Sequence, residues 1–139
     1  MKNIVKTFAI LFLSVTYSCN AQQLVETPND ANKLKINEQQ FINKTLNNLL
    51  KEIKPEIKFA YGTTEYPSFF SFRFISSEEQ KQHKIGRKLI GLYVYVKEPL
   101  DWKFEQRPKG KEYQWTKEDL EKYGNLTVIR IKVIERIED

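Results

Sequence analysis

Phe70-Ser71-Phe72-Arg73-Phe74 and Ile90-Gly91-Leu92-Tyr93-Val94-Tyr95-Val96 alternate apolar with polar or small residues at a period of two. Successive side chains of a β-strand point to opposite faces, so each run reads as a strand with one strongly apolar side and one wetter side. Ile57, Phe59 and Tyr61 alternate in the same way with Lys58 and Ala60. The chain closes on Leu126 to Ile137, where Thr127, Ile129, Ile131 and Val133 share one side and Arg130, Lys132 and Arg136 the other. A sheet that is apolar on one face must bury that face against a second layer.

The second layer is sought upstream. Ile36-Asn37-Glu38-Gln39-Gln40-Phe41 has the form of a helix start, with Asn37 as N-cap, Gln40 reaching back, and Ile36 with Phe41 as a hydrophobic staple. Ile42, Leu46, Leu49, Leu50 and Ile53 then recur at helical spacing until Pro55. The spacing predicts a helix over 38–54. A short charged connection follows the second strand, and Ser76 or Ser77 is placed to cap a helical turn there. Trp102-Lys103-Phe104-Glu105 and Lys111-Glu112-Tyr113-Gln114-Trp115 flank Arg107-Pro108-Lys109-Gly110, which predicts a hairpin around a type I turn. Thr116 is placed to cap a short helix, with Asp119 near its exposed amides, and Gly124 is expected to end it at positive φ.

The expected fold is therefore α+β and two-layer. One long N-terminal helix packs on a mostly antiparallel sheet of about five or six strands, and a second short helix precedes the last strand. The apolar sheet face is expected to carry Phe59, Phe70, Phe72, Leu92, Val94, Ile129 and Ile131. Cystatin-like and NTF2-like domains share such an outline, but the cystatin Q-x-V-x-G loop is absent. An outline alone licenses no function.

Ahead of the domain stands an export leader. Lys2 and Lys6 form a positive start, Phe8 to Val15 a short apolar run, and Cys19 is the only cysteine of the 139 residues. The run falls short of the roughly 20 apolar residues needed to span a bilayer. Thr16-Tyr17-Ser18-Cys19 resembles the bacterial lipoprotein box, which implies acylation of Cys19 and attachment to a membrane through it. It departs from that pattern at Thr16, where an aliphatic residue is usual. The competing reading is plain cleavage after Ala21, giving a secreted or periplasmic soluble protein. A lone thiol in an exported chain needs an explanation, and lipidation supplies one. The expected organisation is a leader over 1–18, a flexible tether over 19–33 and a single domain over 34–139.

The chain carries a net charge of +5, and loss of Lys2 and Lys6 with the leader leaves +3. That modest excess in an exported protein makes nucleic acid a poor partner. Its distribution is more telling, because Arg73, Tyr93, Tyr95, Arg130 and Lys132 fall together on the strand side opposite the apolar residues. Two readings stand side by side. One is the wet face of a half-covered sheet, and the other is a binding face for an acidic protein or anionic glycan, with Trp102 and Trp115 in the core or at its rim.

Catalytic signatures are sparse. His83 is the single histidine, the five glycines form no phosphate-binding array, and no metal or cofactor is expected. Carboxylates pair only in connections: Glu78 with Glu79, Glu98 with Asp101, Glu118 with Asp119. The expected function is a non-enzymatic binding protein of the cell envelope, an inhibitor or immunity role being compatible with it. The alternatives are a small hydrolase working through carboxylates and an assembly subunit of an envelope complex.

Overall fold

The computed structural model describes residues 22–139, so the leader and Cys19 lie outside the described residues. The fold is α+β, built on an antiparallel sheet of four strands, not the expected five or six, in chain order: β1 (Phe59–Gly62), β2 (Phe69–Arg73), β3 (Lys88–Val96) and β4 (Val128–Ile137). Register pairs Phe72 with Leu92 and Leu92 with Val133, and pairs Phe70 with Val94 and Val94 with Ile131. These side chains form the inner face, where Phe70, Phe72, Leu92, Val94 and Ile131 are fully buried.

The inner face is covered by residues 24–54 and 98–126, which contribute Val25, Leu34, Phe41, Leu46, Leu49, Leu100, Trp102 and Tyr123 to the same core. The expected helix over 38–54 is not formed. In its place stand α1 (Asn32–Ile36), a 3-10 turn at Glu38–Gln40 and α2 (Leu46–Leu50). The break has an identifiable cause. Asn43 takes φ 63, and the backbone around it bonds to the start of β4 instead of to a helix: Asn43 N–H donates to Val128 O at 2.8 Å and Val128 N–H to Lys44 O at 2.9 Å. Asparagine tolerates the left-handed region better than most residues. Thr45, not Asn37, makes the side-chain N-cap, accepting from Asn48 N–H at 3.2 Å. Ile36 is exposed while Phe41 is buried, so they form no staple.

The apolar spacing of 42–53 still reports burial, since Leu46, Leu49 and Ile53 all enter the core. Part of the segment expected as a tether over 19–33 packs on the domain. Val25 and Ala31 are fully buried, and Val25 bridges Ile53 in parallel, with Val25 N–H donating to Glu52 O and Lys54 N–H to Val25 O, both at 2.9 Å.

β1 is turned over relative to expectation. Ala60 and Gly62 face the core, and Phe59 and Tyr61 face outward. Trp102 decides this, because a Cβ at Gly62 would lie 2.9 Å from the Trp102 Cβ, so only the smallest side chain permits the approach. Phe59 is compensated outside by Tyr113, stacked on it at 4.7 Å. In β4 the pairing shifts by one residue opposite Tyr95 and Val96, which buries Val128 and leaves Ile129 exposed where the sequence pattern places it inside.

The expected hairpin over 102–115 is also absent, replaced by a 3-10 turn at Phe104–Gln106 and irregular chain. Trp102 and Trp115 pack on Phe70, at 5.9 and 5.4 Å between ring centroids, and the second half of the segment bonds to β1 in place of the first half, with Ala60 N–H donating to Tyr113 O at 2.7 Å. The turn itself runs one residue later than expected: Lys111 N–H donates to Pro108 O at 2.9 Å, and Gly110 takes φ 82.

The two capping expectations hold. Glu79 N–H donates to Ser76 Oγ at 3.1 Å at the start of α3 (Ser77–Lys81), and Asp119 N–H donates to Thr116 Oγ1 at 3.1 Å at the start of α4 (Lys117–Tyr123). Gly124 follows α4 with an ordinary φ of −60, so crowding and not positive φ accounts for glycine there; a Cβ would lie 2.4 Å from Leu120 O.

The segment over the core is locked by Arg107. Its guanidinium lies 3.9 Å from the Trp102 ring centroid, donates to both carboxylate oxygens of Asp119 at 2.9 and 2.8 Å, and bonds Gln114 O at 2.6 Å. Burial alone pushes the Asp119 carboxyl up. The Arg107 hydrogen bonds, with those from Thr116, more than offset this and hold it below the ordinary 3.8.

Two outcomes are expected from this packing. Leu46→Ala should destabilise by about 2–5 kcal/mol, because the side chain is fully buried, while exposed Lys51→Ala should leave the urea midpoint nearly unchanged. Asp119, with its carboxyl lowered in the fold, contributes stability that is present above 3.8 and is lost as pH falls through its folded value. Wild type should therefore exceed Asp119→Asn in urea midpoint at neutral pH, and the difference should shrink on acidification below 3.8. A difference that does not vary with pH would assign the effect to packing.

Candidate functional site

The strand alternation that sends Phe70 and Phe72 inward sends Phe69, Ser71 and Arg73 outward. Register then assembles the outer face: Phe69 beside Tyr95 and Tyr95 beside Arg130, Ser71 beside Tyr93 and Tyr93 beside Lys132, Arg73 beside Gly91 and Gly91 beside Ile134. Arg73, Tyr93, Tyr95, Arg130 and Lys132 thus share one face, on the side away from the helices that cover the core. Arg136 joins them from the register position opposite Leu89. Lys58, which the sequence pattern places in the same group, instead precedes β1 and pairs with Glu79 at 3.5 Å.

The strand positions of this face carry four cations and no carboxylate. Among the described residues none of Arg73, Arg130, Lys132 and Arg136 makes an ion pair, whereas Arg87, Lys88, Arg107 and Lys122 each have a carboxylate partner. The aromatic residues form a continuous support. Phe69 packs against Tyr93 at 5.8 Å and Tyr95 at 5.1 Å; the Arg130 guanidinium lies 5.1 Å from the Tyr95 ring centroid, and that of Arg73 lies 5.1 Å from Phe59. Such stacking orients a guanidinium without consuming its hydrogen-bond donors.

At one end the face becomes concave. A cavity of about 210 Å³ opens over Gly91, walled by Arg73, Gln80, Leu89, Tyr93, Ile134 and Arg136. α3 supplies the overhang, and Gln80 Oε1 accepts a hydrogen bond from Arg73 Nη1. Arg87 anchors α3 by donating to Glu79 O at 2.9 Å and to the Glu138 carboxylate at 2.6 Å. The sequence pattern places Arg136 on this face with Arg130 and Lys132, but the roles of Gln80 and Gly91 are not visible in it. Gly91 was the one available signal, as the single glycine in a strand otherwise built of large side chains.

The paired carboxylates are engaged elsewhere. Glu79 accepts from Ser76 N–H at 2.7 Å, Glu98 from Thr127 N–H and Oγ1–H at 2.8 and 2.7 Å, and Asp101 from Tyr123 Oη–H at 3.1 Å and Lys122 at 2.9 Å. These contacts hold all three carboxyls below their ordinary values. A general acid needs its carboxyl raised instead. His83 is exposed in the connection between α3 and β3, and no cluster of metal-ligating side chains occurs among the described residues. No helix of the described residues is long and apolar enough to cross a membrane.

No known protein family matches this chain, and no characterised protein or solved structure matches it either.

Proposed function

We propose that this chain is an exported, lipid-anchored envelope protein whose domain binds a macromolecular partner through the outer face of its sheet, without catalysis. The observation that carries the binding reading is the concentration, on an aromatic strand face that the second layer leaves uncovered, of cations that make no ion pair among the described residues. Guanidinium groups present planar paired donors suited to carboxylates, and tyrosines offer contact area at low entropic cost. The partner is an acidic protein or an anionic glycan, consistent with an inhibitor or immunity role. Glu79 and Asp119 are occupied as caps and counter-ions, Asp101 as a counter-ion and Glu98 by Thr127, which weighs against the carboxylate-hydrolase alternative.

The assembly-subunit reading has one feature in its favour. Ile131 N–H points out of the sheet to Glu38 Oε2 at 2.9 Å, so the backbone groups of Val133, Glu135 and Ile137 point the same way, and nothing outside the sheet bonds to them among the described residues. Ile134 and Ile137 are exposed beside this edge. Lys132, Glu135 and Arg136 supply the charges that commonly guard such an edge against pairing.

The anchoring proposal rests on Cys19 and the apolar run before it. Cys19→Ala should move the protein from the detergent phase to the aqueous phase on phase partitioning. A wild-type protein that is already aqueous and begins at Gln22 would refute lipid attachment.

The binding face is tested with the full chain and two immobilised polyanions, poly-L-glutamate and hyaluronate. Binding should weaken as salt rises, and an Arg130→Glu, Lys132→Glu double variant should lose about tenfold or more in affinity. Both side chains are exposed, so stability should change by under about 0.5 kcal/mol per site. A Lys109→Glu, Lys111→Glu variant alters net charge equally on another surface and should bind nearly as wild type. Equal losses in the two variants would reduce the effect to net charge and remove this face from consideration.

A further inference from the structure

Three cavities of the described residues line up differently in charge. One, beside the 108–114 turn, mixes Lys58, Lys81, Lys109 and Lys111 with Glu78 and Glu112. A second contains Arg87 and Lys88, whose charges are matched by Glu138 and Glu135. The third, over Gly91, holds Arg73 and Arg136 with no acidic residue in its lining and no ion pair to either arginine. Its other walls include Ile75, Leu89, Ile90, Ile134, Tyr93 and Gln80.

Each part of this cavity has a construction. Gly91 lies directly between Arg73 and Ile134 in register, and its missing side chain makes the floor; a Cβ there would come within 3.0 Å of the Tyr93 ring. Arg73 is held by Gln80 Oε1 and by the Phe59 ring. Because Gln80 accepts through its oxygen, its amide nitrogen is fixed as the free end, and Nε2 is buried without a partner. At about 210 Å³ the space is smaller than the roughly 300–1,000 Å³ typical of sites for drug-sized ligands. It suits one group of side-chain size.

We propose that this cavity binds a carboxylate carried on an apolar group of side-chain size, with Arg73 and Arg136 facing the carboxylate and Leu89, Ile134 and Tyr93 receiving the apolar body. Guanidinium donors match a carboxylate or a phosphate, but the aliphatic walls favour an anion with an apolar substituent over a fully hydrated one. Two sources share this chemistry, a free small carboxylic acid and the last residue of a peptide chain. The inference rests on the binding reading of the outer face and deepens it.

The test is titration of the isotope-labelled full chain with 3-phenylpropanoate, its neutral amide, inorganic phosphate, and N-acetyl-Ala-Phe with a free or amidated C-terminus, read by backbone amide shifts. Saturable shifts of Gly91, Tyr93 and Ile134 are expected with the carboxylates, and at least about tenfold weaker binding with their amides. Arg136→Gln should weaken carboxylate binding about tenfold with an unchanged free spectrum outside the cavity, since Arg136 has no ion-pair partner to lose among the described residues. Gly91→Ala should abolish it by displacing Tyr93; should that variant not fold, Arg136→Gln carries the test alone. Tighter binding of the free-ended dipeptide than of 3-phenylpropanoate assigns the source to a chain terminus, and the reverse order to a small acid. The proposal falls if the acid and its amide bind alike, if phosphate binds as tightly as the acid, or if no saturable shift appears at the cavity. Should that happen while poly-L-glutamate binding still depends on Arg130 and Lys132, the cavity is wrong and the broader face stands; loss of both results removes both.

Discussion

Phe70 is fully buried and surrounded by four aromatic rings, Phe72 at 5.5 Å, Trp102 at 5.9 Å, Trp115 at 5.4 Å and Tyr123 at 5.2 Å. Rings of this size bury more apolar area than any other side chains, and edge-to-face packing adds about 0.5–1.5 kcal/mol per pair beyond area alone. The three partners outside the sheet come from the segment between β3 and β4, so this cluster determines where that segment lies. It also determines which side of the sheet is inside. With Phe70 inward, Arg73 and, through the register, Tyr93, Tyr95, Arg130 and Lys132 must point outward.

The cation network follows from the same cluster. Arg107 stacks on Trp102 and binds Asp119, which in turn caps α4 through Thr116. Its charge is matched within a largely buried contact that also shapes the core. Arg87 is likewise matched by Glu138 where α3 meets the end of β4. Arg87 and Arg107 therefore have carboxylate partners, and the outer-face arginines make no ion pair among the described residues. That contrast, more than net charge, is what the proposed binding role of the outer face rests on.

The N-terminal stretch shows how backbone bonding overrides local preference. Helix propensities differ by well under 1 kcal/mol among ordinary residues, whereas the edge of β4 offered several unpaired backbone groups. Glu38, Asn43 and Lys44 satisfy Ile131 and Val128 there. The result is two short helices either side of a strand-like crossing, which covers the first half of β4 and leaves the second half open.

The sequence by itself determined the three long alternations, the caps at Ser76 and Thr116, and the membership of Arg73, Tyr93, Tyr95, Arg130 and Lys132 in one face, because a period of two and a capping oxygen are local properties. It also marked Leu46, Leu49 and Ile53 as buried. Only the tertiary structure decided which way β1 faces, where the bulge in β4 removes Ile129 from the core, how the 38–54 segment divides, and that Gly91 floors a cavity under α3. Each of these depends on a partner distant in the chain: Trp102 against Gly62, Val128 against Asn43, Gly91 against Arg73 and Ile134. Contacts between residues far apart in sequence leave no periodic trace in either partner, so pattern can assign a side chain to a face but not say what that face meets.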